Sequence, residues 1–304
     1  MSDQIKFTKN YYLWSFRALA AKVSDLKQLV KFNLTFFVVF SSVVGYLLAS
    51  SGPLYFKNIF YLVCGGFFIT GAANTLNQIL EREYDGLMTR TANRPLPAGR
   101  MDVTEAIIWA GLMGIGGIFF LALFNQLTAL LGASSLILYA FIYTPLKRIT
   151  PLSVAVGAIP GALPAMIGCI ALEGKLTLLS LTLFGLQFFW QFPHFWSIGW
   201  LGFDEYKKAG FNIMPLPTQE RDHSIGMYSL IYALFLVPIS LLFVFYPKVS
   251  SGAIAGLCLA AFGFAYAAWG LFKYNDHIHA RKLLFASLIY LPVIQIILLI
   301  DKWI

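Results

Sequence analysis

Long apolar stretches separated by short polar segments run the whole length of this 304-residue chain. The stretches without a charged residue cover 32–56, 58–80, 106–146, 149–172, 176–203, 223–247, 249–272 and 283–300. A helix that crosses a ~30 Å hydrocarbon core needs roughly 17–25 residues, and every stretch reaches that length. The stretch 106–146 is too long for one helix and carries Asn125-Gln126 near its middle, so it predicts two helices joined by a tight turn. The pattern therefore predicts nine spans.

The spans are expected to be helices, because backbone groups inside lipid must pair within the protein and no stretch alternates as a β-strand would. Composition agrees with a membrane protein. Hydrophobic residues make up 59% of the chain, charged residues only 12%, and the mean hydropathy is +0.72. Soluble domains carry about 25% charged residues.

The basic residues indicate which side of the membrane each loop faces. Of 22 Lys and Arg, 18 lie on one predicted side, in 1–31, 81–105, 147–148, 204–222 and 273–282. Cytoplasmic loops carry the excess of positive charge, so the N-terminus is expected in the cytoplasm and the C-terminus across the membrane. The net charge of +8 thus reflects topology and an anionic substrate, and no nucleic acid is expected as a partner.

The predicted fold class is an all-α membrane protein with nine transmembrane helices. A cytoplasmic segment, 1–31, precedes a single domain, 32–304. Residues 1–30 are poor in Arg and include Asp3 and Asp25, which favours a bacterial inner membrane over a mitochondrial inner membrane. Twelve of the fourteen acidic residues also lie on the predicted cytoplasmic side, where 81–105 and 204–222 form the long loops. We expect the functional site on that side, because sites are often built on loops held by a rigid scaffold.

The first candidate site is a ladder of polar side chains at the end of the second span. Asn77, Glu81 and Asp85 follow one another at intervals of four residues and so lie within about 80° on one helix face, which Asn74 joins. Carboxylate and carbonyl oxygens in this arrangement suit Mg²⁺, which binds a few carboxylates together with substrate phosphates. The alternative is a solvated helix end with ordinary pairs between neighbouring charges. Polar ladders at the membrane boundary are more often functional.

Cations follow the ladder closely. Arg90 and Arg94 come about one turn after it, where guanidinium groups could hold phosphate oxygens. Lys147-Arg148 form a short loop on the same side. These two residues could bind phosphate, or they could simply complement a helix end and anchor the topology, and the sequence leaves both roles open.

A second acidic segment follows the sixth span. Asp204-Glu205 offers another carboxylate pair, with Lys207-Lys208 directly after it. In the span before it, Gln187, Gln191 and His194 share one helix face. A histidine inside a span is often only an interhelical hydrogen-bonding residue, so a packing role and a site role for His194 both stay open.

Together these features predict a lipidic diphosphate held through Mg²⁺. Metal and cations would stabilise the leaving pyrophosphate, and an allylic substrate would leave a carbocation for an electron-rich π-bond to attack. The interior, with 28 Phe, 15 Tyr and 7 Trp in the chain, could shield that cation from water.

The ladder and the second acidic loop resemble the UbiA-type intramembrane prenyltransferase superfamily, and finer motifs are similar to its haem O synthase (protohaem IX farnesyltransferase) branch. Those motifs are Asp85-x₂-Met88-x-Arg90-Thr91-x₂-Arg94-Pro95, Tyr143-Thr144-x-Leu146-Lys147-Arg148, Trp190-Gln191-x-Pro193-His194-Phe195, Glu205-Tyr206-x₂-Ala209-Gly210-x₃-Met214-Pro215 and Ala280-Arg281-Lys282 with Phe285, Ser287 and Tyr290. They extend over most of the chain. Glu81 stands where the family usually has Asp, and Lys31-Phe32-Asn33 where it has Lys-Pro-Arg.

The resemblance implies a UbiA-like bundle with a cytoplasmic-side active site that joins farnesyl diphosphate to haem B, with Mg²⁺ as cofactor. It implies that Asn77, Glu81 and Asp85 form one metal clamp, and Asp204 or Glu205 its partner. Phosphate oxygens or haem propionates would contact a set of cations and polar neighbours comprising Asn74, Arg90, Arg94, Lys147, Arg148, Tyr206, Lys207 and Lys208. His194 would contact the haem or the water that completes the product. Haem A synthase or terminal oxidase assembly factors are expected as partners in the bilayer.

Two other functions fit parts of the sequence. A sister enzyme that prenylates a quinone or another aromatic precursor would use the same diphosphate clamp. A haem-handling or transport protein without catalysis would tolerate loss of the carboxylates. The nine-span layout has no evident inverted repeat with broken helices, which disfavours transport.

Overall fold

A computed structural model describes residues 18–215, 221 and 224–303, and over those residues it contains helices and no strands. The helices in chain order are α1 (18–29), α2 (Phe32–Ala49), α3 (Phe56–Asp85), α4 (Val103–Ala122), α5 (Gln126–Leu146), α6 (Ser153–Glu173), α7 (Leu178–Leu201), α8 (Phe203–Lys208), α9 (Ser224–Phe245), α10 (Ser251–Tyr274) and α11 (His277–Trp303). The expectation of an all-α fold is confirmed. The predicted turn in 106–146 is also present, where the Asn125 side chain accepts a hydrogen bond from the Thr128 N–H and caps α5.

Within the described residues, eight helices are long and apolar enough to cross a membrane: α2, α3, α4, α5, α6, α9, α10 and α11. The remaining predicted span, α7, has 24 residues, but its glutamines, histidine and proline lower its hydropathy. The count of nine spans and the orientation of the N-terminus therefore stay predictions.

Helices α2 and α6 cross in close backbone contact. A Cβ atom at Gly45 would lie 2.0 Å from the Ala165 carbonyl oxygen, and one at Gly168 would lie 1.8 Å from the Ser42 carbonyl oxygen. Small residues of this kind let transmembrane backbones approach closely. In α6, 78% of an 18-residue window is buried, so this helix lies at the centre of the bundle, and α2, α5 and α7 pack around it.

On the predicted cytoplasmic side, α1 packs against the start of α4 and the loop between α3 and α4. Lys22 pairs with Glu105 at 2.5 Å, and Arg100 pairs with Asp25 at 2.9 Å. Residues 1–17 of the predicted N-terminal segment lie outside the described residues, so the domain boundary at residue 31 stays a prediction. The Gln78 side chain of α3 donates to the backbone carbonyls of Gln28 and Leu29, so the end of α1 also lies against α3 beside the ladder.

Candidate active site

The predicted ladder lies on the buried face of α3. Asn77, Glu81 and Asp85 are 1%, 5% and 1% exposed, and all three belong to one unbroken helix. Its 30 residues exceed the ~20 needed to cross the hydrocarbon core, so the last turns carry the ladder toward the membrane surface. A solvated helix end is therefore excluded for these three side chains.

Each member of the ladder contacts a cation from a different segment. Lys31 Nζ donates to Asn77 Oδ1 at 2.7 Å, Lys147 forms an ion pair with Glu81, and Arg94 Nη1 lies 2.6 Å from Asp85 Oδ2. Buried carboxylates require such partners, because an unpaired charge in a poorly hydrated environment is costly. The ladder and its three cations form one compact charged cluster.

Lys31 joins this cluster through an unusual backbone conformation. It lies between α1 and α2 with φ 48°, in the left-handed region that few residues other than glycine adopt. Burial and the neighbouring cations Arg94 and Lys147 lower the pKa of Lys31 to about 7. Sequence reasoning noted Lys31 only as part of a departure from the family pattern. The signal in the sequence that could have identified Lys31 as a site residue is its position directly before a charge-free span.

A π-helical segment, Leu138–Tyr143, positions the α5 side of the cluster. Pro145 supplies no backbone N–H, so the regular hydrogen-bond pattern cannot continue through it. The Thr144 hydroxyl donates to the Tyr139 carbonyl at 2.8 Å and accepts from Asn77 Nδ2 at 3.1 Å. The altered helix therefore brings Thr144 to the ladder and places Lys147 opposite Glu81.

The donor set of the ladder fits Mg²⁺. Its three side chains offer two carboxylates and an amide oxygen on one buried face. Hard cations take such oxygen ligands and complete their shell with water and phosphate. Among the described residues, no three His, Cys, Asp or Glu side chains are grouped to hold a metal ion, so any clamp here relies on two carboxylates and substrate oxygens.

The second acidic pair has other partners. Asp204 is 2.8 Å from Arg221 and its side chain is 70% exposed, while Glu205 accepts from the Thr89 backbone N–H and pairs with Lys208 at 3.1 Å. The loops 81–105 and 204–222, both predicted to be cytoplasmic, are therefore joined, and the contacts of Asp204 and Glu205 described here are with residues outside the ladder. The metal-binding role of Asp204 and Glu205 stays a prediction.

Contacts between cations and aromatic rings join the end of α5 to the second acidic loop and to α3. Lys147 Nζ lies 4.9 Å from the centre of the Tyr143 ring and 5.1 Å from that of Phe211, and the Asn212 N–H donates to the Lys147 carbonyl. Arg148 stacks on Tyr84 at 4.1 Å. Cations over ring faces are held by the ring quadrupole, so these contacts fix the positions of both basic residues.

The remaining predicted residues fall into two groups. Arg90 lies beside the second loop, where it donates to the Tyr206 hydroxyl at 3.1 Å, and Lys207 and Lys208 are exposed on α8. Asn74 is buried and donates to the Val30 carbonyl and the Thr35 hydroxyl, so it holds the start of α2. Substrate contacts for these residues stay predictions.

His194 lies apart from the ladder. It shares a predicted face with Gln187 and Gln191, yet Gln191 donates to the Ala158 carbonyl of α6, whereas His194 faces Ser287 of α11. The residues that sequence reasoning missed here are those that reach the site from distant elements, namely Lys31, Thr144, Phe211 and Ser287. Contacts across helices leave no periodic signal in the chain.

Known proteins similar to this chain belong to one enzyme family. Residues 38–289 match the model of the UbiA prenyltransferase family. A protoheme IX farnesyltransferase of Christiangramia forsetii is 45% identical over 289 residues, covering 94% of this chain and 95% of that protein.

Two solved structures share the fold. A digeranylgeranylglyceryl phosphate synthase has a TM-score of 0.78 at 16% identity, covering 93% of this chain and all of that one. A UbiA homologue from Archaeoglobus fulgidus, bound to GPP and Mg²⁺, has a TM-score of 0.64 at 14% identity, covering 92% of this chain and all of that one.

Proposed function

The chain belongs to the UbiA prenyltransferase family, and on that premise we propose that it transfers the farnesyl group of farnesyl diphosphate to a vinyl group of haem B, giving haem O and pyrophosphate. The observation that carries the choice of acceptor is the 45% identity, over 94% of the chain, to a relative named protoheme IX farnesyltransferase. The buried ladder and its cations supply a place for the diphosphate.

The diphosphate end of the reaction is assigned to the ladder. Asn77, Glu81 and Asp85 would hold Mg²⁺, which when bound neutralises the charge that develops on the leaving pyrophosphate. Arg94 and Lys147 already contact Asp85 and Glu81, so they lie within reach of phosphate oxygens held at the same carboxylates. Guanidinium groups hold such oxygens in pairs and fix their orientation.

Further cations extend this diphosphate site toward the predicted membrane surface. Arg90 and Arg148 are assigned to phosphate oxygens or haem propionates. Both side chains are exposed, Arg90 in the loop after α3 and Arg148 in the loop after α5, and both carry a permanent charge. Arg148 is held on the Tyr84 ring and Arg90 on the Tyr206 hydroxyl, so both are positioned before substrate arrives.

The chemistry consists of one substitution and one hydration. The bond between the farnesyl carbon and the diphosphate oxygen breaks, and its electrons leave with the pyrophosphate. The vinyl π-electrons form the new carbon–carbon bond. The cation left beside the porphyrin takes a water oxygen and releases a proton. The rings of Tyr143 and Phe211 lie beside Lys147, and Phe195 of α7 contacts Tyr143; these rings would stabilise positive charge and exclude other water.

Helix α7 is proposed as the ninth span. It runs antiparallel to α6 along most of its length, because Thr177 bonds Glu173 at one end and Gln191 bonds Ala158 farther along. Nine spans together with the 18-to-4 distribution of basic residues support a multi-pass protein with its site on the cytoplasmic side of a bacterial inner membrane.

The experiment that tests this function is product mass spectrometry on purified protein in nanodiscs supplied with haem B, farnesyl diphosphate and Mg²⁺. We expect a product heavier than haem B by one farnesyl and one hydroxyl group, formed only without chelator. Unmodified haem together with prenylation of an added quinone precursor would overturn the choice of acceptor.

A further inference from the structure

A strip of aromatic rings runs along the end of α10 and onto the start of α11. Tyr266, Trp269 and Tyr274 of α10 are all exposed. The rings of Tyr266 and Trp269 stack with centroids 5.7 Å apart. The Tyr274 ring stacks on His279 of α11 with centroids 4.4 Å apart. Because α10 and α11 are both long and apolar enough to cross a membrane, the strip lies where the chain leaves the bilayer and enters it again.

The turn that joins the two helices is fixed in position. Asn275 ends α10 with φ 45°, in the left-handed region, and its side chain accepts a hydrogen bond from Trp200 Nε1 of α7 at 3.2 Å. Asp276 accepts from the backbone N–H and from Nδ1 of His279, each at 2.8 Å. This carboxylate therefore holds the His279 ring in its stack on Tyr274, and the aromatic strip is a preformed surface.

Lys273 lies between two rings of the strip. Its Nζ is 5.1 Å from the centre of the Trp269 ring and 5.1 Å from the centre of the Tyr274 ring. The ring quadrupoles attract the ammonium and so limit the positions it can take. The side chain is exposed, and none of the ion pairs among the described residues includes it. Its charge is therefore available to an anion from outside the protein.

A second cation lies on the same side of the turn. Lys282 follows Ile278 by four residues and His279 by three, so these three positions share one face of α11. Lys282 is exposed, and it too is absent from the ion pairs in the described part of the chain. Near the N-terminal end of α11 the helix dipole gives a cation no stabilisation, so this lysine does not serve the helix. The same face continues with exposed Ile289 and Ile296, which suit lipid.

We propose that Lys273 and Lys282, with the aromatic rings beside them, bind the phosphate headgroup of an anionic phospholipid whose acyl chains lie along α10 and α11. Charge complementarity and the continuous apolar surface of the two helices select this occupant. Basic residues near a membrane surface attract anionic lipids by about fivefold for each charge, and aromatic rings are enriched at the same level of the bilayer. The inference goes beyond the proposed function and does not depend on haem B as the acceptor.

The test is lipid titration followed by native mass spectrometry of the protein in detergent, which gives a Kd for the first lipid bound. Wild type is expected to bind phosphatidylglycerol more tightly than phosphatidylcholine. The Lys273→Gln, Lys282→Gln double variant should bind phosphatidylglycerol at least about fivefold more weakly. Its Kd for phosphatidylcholine should be unchanged, which also shows that the variant is folded.

Matched variants separate this surface from a general effect of charge. Lys273→Arg together with Lys282→Arg keeps both charges and should retain the wild-type Kd for phosphatidylglycerol. Lys57→Gln together with Lys175→Gln removes the same charge from two exposed lysines on the other predicted side of the membrane and should also leave this Kd unchanged.

Several results would overturn the inference. An unchanged Kd in the double glutamine variant, or an equal loss in the Lys57 and Lys175 control, would show that the anionic lipid does not bind at this surface. If excess inorganic phosphate at constant ionic strength displaces phosphatidylglycerol, the surface is a general phosphate site and the assignment to lipid is wrong. A wild type without preference for phosphatidylglycerol, as expected if a second copy of the chain covers this face, would contradict the inference as well.

Discussion

Two acidic regions that look alike in the sequence behave differently in the folded protein. In the ladder, Glu81 and Asp85 are almost completely buried and each faces a cation from another segment. In the second loop, Asp204 and Glu205 are more exposed and bind Arg221, Lys208 and the Thr89 backbone. The first region is a charged cluster inside the bundle, and the second holds two surface loops together.

The difference shows that carboxylates which look alike in the sequence can lie in a buried charged cluster or in a more exposed network of ion pairs. Carboxylates that stay charged inside a protein cost free energy unless cations or metal compensate them, so they persist where chemistry requires them. Surface pairs such as Asp204 with Arg221 contribute little to stability, about 0–1 kcal/mol. Substitutions in the two regions should therefore have very different effects.

The largest effect is expected for turnover. Glu81→Gln and Asp85→Asn keep the shape of each side chain but remove the charge that would hold Mg²⁺, so haem O formation should fall by about 10²–10³-fold or more. The matched substitution Asp204→Asn should lower turnover by less than about tenfold, since that carboxylate is exposed. Equal losses in both regions, measured as initial rates by product mass spectrometry, would show that the second pair takes part in the chemistry.

A second prediction concerns folding stability. Lys147→Gln leaves the buried Glu81 carboxylate without its cation, and breaking a buried pair in this way costs about 3–5 kcal/mol. Adding Glu81→Gln to that variant should recover part of the loss. Asp204→Asn, which weakens the exposed pair with Arg221 and leaves the other contacts of Arg221 in place, should change stability by about 0–1 kcal/mol. Thermal unfolding in detergent measures all four proteins, and a Lys147→Gln protein as stable as wild type would contradict the account.

A smaller effect is expected at Lys31. Its ammonium is hydrogen-bonded to Asn77 Oδ1, and a hydrogen bond to a charged group is worth about 1.5–3 kcal/mol. Lys31→Met should therefore raise the KM for farnesyl diphosphate by about tenfold, with a smaller change in kcat. Lys22→Met is the control, because Lys22 pairs with Glu105 away from the ladder. An unchanged KM in the Lys31 variant would remove this residue from the site.

The smallest effect concerns the pH dependence of the loop contact. The hydrogen bond from the Thr89 N–H lowers the pKa of Glu205 in the folded protein. A lowered folded pKa means that the carboxylate stabilises the fold above its ordinary pKa of about 4.3, and that this contribution disappears as the pH falls through the folded value. The difference in Tm between wild type and Glu205→Gln should therefore be present at pH 7 and vanish in stronger acid. A difference that is independent of pH would show that the carboxylate is not involved.

The sequence predicted the local features well. The charge-free stretches located the helices, and the four-residue spacing placed the ladder on one face of α3, because both follow from helix geometry within one segment. Lys147, predicted with two possible roles, proved to face Glu81.

Features that depend on contacts between segments could not be read from the chain. Two of these features join residues that lie far apart in the sequence: the pairing of Lys31 with Asn77 and the contact between His194 and Ser287. A third, the π-helical segment before Pro145, is a local change in a helix. For the same reason the two acidic regions look equivalent in the sequence, although only the ladder is almost completely buried.

The most direct test of the account is metal binding in the presence of pyrophosphate, measured with Mn²⁺ in place of Mg²⁺ by electron paramagnetic resonance. Wild type should bind Mn²⁺, and Glu81→Gln and Asp85→Asn should each lose the bound signal, whereas Asp204→Asn, which changes an exposed carboxylate and leaves Glu205 in place, should retain it. Retention of bound Mn²⁺ in both ladder variants, or its loss in the second-loop variant alone, would contradict the assignment of the diphosphate site to the buried face of α3.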